Sequence, residues 1–250
     1  MSRYQVVKII AALLCALALA LRNPALLGSV IVALLILIGL GVKIPQLRFF
    51  GPYVCRGANS RRCVALTFDD GPDPRSTPLL LELLRGAGQP AAFFCVGRRV
   101  AAHPELAARI VREGHLLENH SYTHSDTTNL FTVARLRAEL EQTQAAIQQA
   151  AGVAPRWFRP PMGLSNPRVF RAARALGLTV VGWTVRGLDT KLTDPERIVG
   201  RIVQRLEPGA IILLHDGNIP AERLLATVKT LLNTVHALGY EVVRLDRLLT

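Results

Sequence analysis

Val64-Ala65-Leu66-Thr67-Phe68-Asp69-Asp70-Gly71-Pro72 is the stretch on which the reading of this chain turns: an apolar run that stops at two adjacent carboxylates and a Gly-Pro turn. A short continuous apolar run bounded by turn residues fits a strand buried on both faces, as in parallel sheets. Two neighbouring carboxylates that both ionise repel one another, so a cation or a shared proton is expected beside them. Asp-Asp-Gly-Pro is also good turn chemistry, and taken alone the pair favours a turn.

Working outward, short apolar runs alternate with amphipathic segments. Val64–Phe68, Ala91–Val96, Leu116–Leu117, Thr179–Trp183, Ala210–Leu214 and Glu241–Leu245 read as strands. Thr77–Ala87, Pro104–Glu113, Thr132–Ala151, Asn166–Leu176, Pro195–Leu206 and Ala221–Leu238 read as helices. Gly88, Gly114, Gly152, Gly177 and Gly239 stand where helix ends are wanted. Such alternation predicts an α/β fold with a parallel sheet, most simply closed into a distorted (β/α) barrel of about seven strands.

The first fifty residues differ from the rest. They hold no acidic residue and five basic ones, Arg3, Lys8, Arg22, Lys43 and Arg48, which leaves 25 basic and 18 acidic residues after position 50, a net charge of +7. Ala25–Val42 is interrupted only by Ser29 and is long enough for about 27 Å of helix. Ile9–Leu21 is of signal-peptide length, but spans if it extends through Val6-Val7 with Lys8 snorkelling. Arg22-Asn23-Pro24 separates the two. The expectation is an apolar helical hairpin over 1–43 that anchors the chain in membrane lipid, in a bacterial inner membrane, with a signal peptide followed by one span as the rival. Lys43–Gly57, with Pro45 and Gly51-Pro52, reads as the core of a linker over 44–60. Basic residues flank the pair on its outer sides and put both ends in the cytoplasm. Cys55 and Cys63 pull the other way, because a disulfide between them would need an oxidising compartment. Cys15 and Cys95 read as packing residues. Without a Lys/Arg run interleaved with aromatics, no nucleic-acid partner is expected. The basic charge serves solubility, or attracts anionic lipids, phosphorylated carriers or acidic glycans.

Polar residues fall at the ends of the expected strands. Asp69-Asp70 follow the first, His120 the third, Arg159 the short segment Trp157-Phe158, Asp189 the run through Trp183, and His215 follows Leu214. In a parallel barrel those carboxyl ends converge on one face. His120 and His124 are four apart, and share a face if their loop continues as a helical turn. One carboxylate and two imidazoles can hold a divalent ion with positions left open, while a second carboxylate serves as base.

With those residues in view, the chain resembles the polysaccharide deacetylase family, carbohydrate esterases built on the NodB homology domain. The likeness covers roughly residues 60–246, in five stretches: TFDDGP at 67–72, HSYTH at 120–124, RPPMG at 159–163, Trp183 to Asp189, and LLHD at 213–216. It implies a catalytic domain over 61–250 that removes N-acetyl groups from an aminosugar-containing glycan, whether a polysaccharide, peptidoglycan or a lipid-linked sugar. By resemblance Asp70, His120 and His124 hold one divalent ion, zinc foremost with Co2+, Mn2+ or Fe2+ as alternatives, and no organic cofactor is implied. Asp69 matches the base that activates water, Arg159 the arginine that holds it, His215 the acid that protonates the departing nitrogen, and Asp189 the carboxylate that orients this histidine. The Met162 N–H matches an oxyanion donor, and Trp183 and Leu213 line the acetyl methyl pocket. Two departures touch the sugar-binding wall: Arg186 and Thr190 stand where the family has an Asp and a Trp, and Met162 where an aromatic is common. Glu118 and Asn119 lie near enough to support the ligands, with no role readable; His103, His115 and His236 match no motif. The same apparatus serves an ester or a formamide, so an O-deacetylase or deformylase on a lipid-linked sugar is the alternative chemistry. A catalytically silent, membrane-anchored glycan-binding module is the alternative from another class.

Overall fold

The computed structural model describes residues 1–58 and 62–249, so the expected domain boundary at 60/61 lies outside the described residues. Its centre is β1 (Cys63–Asp69), buried along its whole length. Seven parallel strands follow the order β5-β4-β3-β2-β1-β7-β6, with β2 (Ala92–Cys95), β3 (Leu116–Asn119), β4 (Trp157–Phe158), β5 (Thr179–Val180), β6 (Val185–Arg186) and β7 (Ala210–His215). A further strand, β8 (Glu241–Val242), pairs with the start of β1. The helices between them are α3 (Thr77–Gly86), α4 (Gly97–Ala102), α5 (Pro104–Arg112), α6 (Val133–Ala151), α7 (Pro167–Ala175), α8 (Pro195–Val203) and α9 (Ala221–Ala237), and α10 (Leu245–Leu249) ends the chain.

The period of two in a strand explains the layering. Val64, Leu66 and Phe68 point outward and pack with Leu80, Leu84, Ile198 and Val228 of the surrounding helices. Removing one such ring, as in Phe68→Ala, should cost about 3–5 kcal/mol. Ala65 points inward and meets Ala92, Phe94 and Ile211, with Leu245 and Leu248 of α10 in the same cluster. Thr67 and Asp69 also point inward, one and two layers higher, where the interior becomes polar around Arg159. α10 therefore closes the apolar end of the sheet and leaves the carboxyl ends open for chemistry. Register aligns those ends: Asp69 stands level with Phe94 and His215, Cys95 with Asn119, and Asn119 with Phe158.

The expected α/β architecture of about seven parallel strands is present as a curled half-barrel. Its edges do not meet directly. Thr179–Trp183, expected as one strand, breaks after Val180 because the chain crosses from one edge toward the other. Val54 fills the gap, donating to Val180 O at 2.9 Å and accepting from Gly182 at 2.8 Å. Gly182 leaves no room for a Cβ there, with Cys55 Sγ only 2.9 Å from where one would stand. Residues read as linker thus carry backbone pairing to the sheet, and Tyr53 is buried against Phe170. Of Glu241–Leu245 only Glu241–Val242 is strand; Val243 still donates its N–H to Val64 O of β1 at 2.8 Å, and α10 begins at Leu245. α4 is an addition to the expected elements. At six residues with glycine at its start, it has no amphipathic period to reveal it. The glycine expectation holds at Gly152, left-handed at φ 69°, which ends α6 with a bond to Gln148 O.

α1 (Arg3–Ala20) and α2 (Pro24–Lys43) form a hairpin. Ser2 and Gln5 make a reciprocal capping box on α1, and Asn23 caps α2 ahead of Pro24. At the hairpin's base Tyr4 donates to Phe49 O at 2.9 Å, and the Tyr4, Phe49 and Phe50 rings pack edge to face. Both helices are long and apolar enough to cross a membrane. They are also exposed almost all round, with only Ala11, Ala18 and Gly41 buried. Cys55 and Cys63 are not bridged: Cys55 packs with Tyr53, and Cys63 with Ala65 in a separate cluster.

Candidate functional site

Strand ends carry the site. β1 delivers Asp69, the residue after it is Asp70, β3 is followed by His120, β4 by Arg159, and β7 ends on His215. Asp70, His120 and His124 each present a ligand atom, all within 4.8 Å of one another. Asp70 Oδ1 lies 3.4 Å from His120 Nε2 and 3.2 Å from His124 Nε2. His120 Nδ1 is 2.7 Å from the Arg159 carbonyl. A carbonyl can only accept, so Nδ1 carries the proton and the Nε2 lone pair is turned into the cluster.

The electrostatics suit a cation. Burial alone would raise the Asp70 carboxyl, but the hydrogen bond and charge of His120, with His215 and His124 behind it, hold it well below the usual carboxylate range. Burial and the neighbouring His120 lower His124, which favours the neutral form that ligates. One carboxylate with two imidazoles fits a borderline divalent ion such as zinc, whose charge would take the place of the positive charge that holds Asp70 low.

The loop between the two histidines is not the expected helical turn. Ser121 and His124 adopt left-handed backbone, at φ 63° and 50°, and so does Asp70 at 74°. Such conformations cost of order 1–3 kcal/mol each for non-glycine residues and persist only where the surroundings over-determine them. Here the surroundings are visible. Buried Glu139 on α6 accepts from Tyr122 N at 3.0 Å, Thr123 N at 2.8 Å and the Thr123 hydroxyl at 2.9 Å. Gly97 and Arg98 of α4 donate to the Ser121 and Tyr122 carbonyls, and Asn119 Oδ1 accepts from Ser121 N.

Asp69 is fixed by Arg159, which is wholly buried. Arg159 Nη1 donates to Asp69 Oδ1 at 2.6 Å and to Thr67 Oγ1 at 2.9 Å, Nη2 donates to Gly182 O at 2.8 Å, and the guanidinium lies over the Phe94 ring. The other oxygen, Asp69 Oδ2, faces the cluster 3.8 Å from His120 Nε2. Asp189 grips His215 twice, accepting from its backbone N–H at 2.8 Å and from Nδ1 at 3.0 Å. Burial disfavours the imidazolium, yet the Asp189 bond and charge, with Asp69 and Asp70, raise His215 to about 9. Its free Nε2 is therefore a proton donor near neutral pH.

Of the remaining expected residues, Met162 is left-handed at φ 57°, and its N–H meets no acceptor among the described residues. Trp183 and Leu213 are both buried, and the Trp183 ring sits so close to Gly163 that a Cβ there would collide. Arg186 is exposed, with its guanidinium 5.6 Å from the centre of the Trp183 ring.

Several residues have supporting roles that the motifs do not announce. Glu139 had a signal, since it occupies the apolar stripe of α6 with Leu136, Leu140, Thr143 and Ile147. Glu118 accepts from Arg156 N and Trp157 N, both at 2.8 Å, and ties β3 to β4; burial raises it to about 7. Asp216 is fully buried behind Gly71, accepts from the Thr77 hydroxyl at 2.6 Å, and is likewise raised by burial to about 7.

A family model described as polysaccharide deacetylase matches residues 56–181. A chitooligosaccharide deacetylase of Bradyrhizobium is 40% identical over 74% of this chain and 85% of its own length. A peptidoglycan-N-acetylglucosamine deacetylase of Bacillus cereus is 33% identical over 76% and 90%. Among solved structures, BA3943 of Bacillus anthracis, a CE4 family pseudoenzyme, superposes with a TM-score of 0.74 at 29% identity, covering 82% of this chain and 71% of that one.

Proposed function

We propose, from the premise that the chain belongs to the polysaccharide deacetylase family, that it is a metal-assisted hydrolase removing N-acetyl groups from aminosugars of a glycan at a membrane surface. The observation that carries this reading is the convergence of the Asp70, His120 and His124 ligand atoms beside one carboxylate clamped by Arg159 and one imidazole clamped by Asp189. A divalent cation held by those three residues would supply polarisation of the acyl oxygen and a more acidic water. Asp69 Oδ2, the oxygen that Arg159 leaves unengaged, takes the water proton as it attacks the carbonyl. Arg159 keeps Asp69 aimed. The Met162 N–H donates to the developing oxyanion. His215 Nε2 then gives its proton to the nitrogen, which leaves as a free amine beside a carboxylic acid, while Trp183 and Leu213 enclose the acyl methyl.

The relatives named above act, by their names, on chitooligosaccharide and on peptidoglycan N-acetylglucosamine, and they support an N-acetylated aminosugar over an ester or formamide. A silent module like the pseudoenzyme would not require a base, three ligands and an acid held in this geometry. The apolar hairpin supports a bacterial inner-membrane anchor. Arg3, Lys8, Lys43 and Arg48 lie toward its domain end and Arg22 alone at its turn, a bias that favours a cytoplasmic catalytic domain and a lipid-linked aminosugar. Acetate release from N-acetylated chitooligosaccharides by the purified full chain, lost on chelation and restored by zinc, tests the chemistry. Metal-loaded protein that releases no acid from any N- or O-acylated glycan would point to the silent module. A carboxyl-terminal reporter active only in the periplasm would refute the cytoplasmic orientation.

A further inference from the structure

A cavity of about 470 Å³ lies where α2 meets the catalytic domain. Its lining includes Lys43, Gln46, Trp183, Arg186, Arg201 and Arg205, and no acidic side chain. Among the described residues none of these four cations makes an ion pair, although carboxylates elsewhere on the surface pair freely with arginine. Four like charges around one concavity repel each other, and an anion is what relieves them. Arginines favour phosphate in particular, because the guanidinium fork matches its oxygens.

Position says where that phosphate comes from. Lys43 is the last residue of α2, and Ile44 and Pro45 continue the cavity wall directly from it. If α2 spans a bilayer, its twenty residues reach about 30 Å, the hydrocarbon thickness, and the cavity falls at headgroup depth. Its other wall runs through Trp183, Thr184, Val185, Arg186 and Leu188, directly before Asp189, and Gln46 Nε2 donates to Trp183 O at 2.9 Å. The cavity and the catalytic face therefore share one piece of chain. We infer that this basic cavity binds a phosphate group carried on a membrane lipid, delivered to the domain at the end of α2. The inference rests on the membrane-anchor reading above; the occupant is an anionic phospholipid headgroup or the phosphate of an isoprenoid-linked sugar.

The test titrates the full chain in neutral detergent with dioctanoyl phosphatidylglycerol, dioctanoyl phosphatidylcholine, farnesyl phosphate and inorganic phosphate, reading heats of binding for wild type and an R201Q/R205Q double variant. Arg201 and Arg205 are exposed and outside the catalytic set, so the variant should fold. Saturable binding of phosphatidylglycerol or farnesyl phosphate is expected, about thirtyfold weaker in the variant, as two interfacial charges provide. The tighter of the two identifies the source, phospholipid or isoprenoid carrier. Equal affinity for phosphatidylcholine, unchanged affinity in the variant, or inorganic phosphate binding as tightly as the lipids would each overturn the inference. Binding is read without turnover, so a chain that bound these lipids and released no acetate would refute only the deacetylase reading.

Discussion

Replacing Glu139 by alanine removes the carboxylate that accepts from two backbone N–H groups and one hydroxyl of the 121–124 loop. Hydrogen bonds to a charged acceptor are worth about 1.5–3 kcal/mol each, so losing two backbone ones costs roughly 3–6 kcal/mol. Against that stands the strain of Ser121 and His124, both left-handed, at about 1–3 kcal/mol apiece. The two sums are comparable, so the alanine variant should let the loop relax and carry the His124 imidazole away from Asp70. Supporting residues of this kind commonly change metal affinity about 10–100-fold, and Glu139→Ala is expected at the upper end. Glu139→Gln keeps an acceptor oxygen without the charge and should lose only about tenfold. The assay is zinc affinity by competition with a chromophoric chelator, alongside a thermal melt. An alanine variant whose melting temperature falls while zinc affinity stays within about twofold of wild type would show that Glu139 serves the fold and not the ligand geometry, and would refute the argument.

Three further outcomes follow from the same geometry. Because His215 is raised to about 9 by Asp189 and must be protonated to act, activity should fall as pH rises through that value; Asp189→Asn should move the alkaline limb of the kcat–pH profile down toward the ordinary imidazole range. Arg159→Met leaves Asp69 buried without its partner, which should cost about 3–5 kcal/mol, visible as a lower urea midpoint. Glu118 is raised from 4.5 to about 7, so the folded state binds its proton more tightly than the unfolded chain does, and stability should decline between those two pH values. Glu118→Gln, which retains an oxygen for Arg156 N and Trp157 N, should flatten that decline, as urea unfolding at several pH values would reveal.

How far the sequence carried depended on the physical kind of signal. β1 and β7 were legible because a continuous apolar run of only about five residues, bounded by turn residues, fits a strand buried on both faces, and a polar residue ending such a run falls at its mouth; Asp69 and His215 duly stand in register. Strand-end logic also brought Arg159 to Asp69 across ninety residues. The path of the His120–His124 loop was not legible, because left-handed backbone at Ser121 and His124 is imposed by Glu139 and by α4, neither of which is local. The bridges of Val54 to Val181 and of Arg56 to Ala210 had no pattern to announce them, since isolated bridging residues have no period. Glu139 itself was detectable as a carboxylate on the buried stripe of an amphipathic helix, a position where charge is expensive unless it is used.

In the proposed chemistry two adjacent carboxylates do different work, and metal content set beside turnover separates them. In Asp69→Asn, zinc stoichiometry should stay near that of the wild type while acetate release falls to background; in Asp70→Asn, zinc and acetate release should be lost together. Substantial turnover by the Asp69 variant, or undiminished zinc in the Asp70 variant, would contradict the assignment of base and ligand.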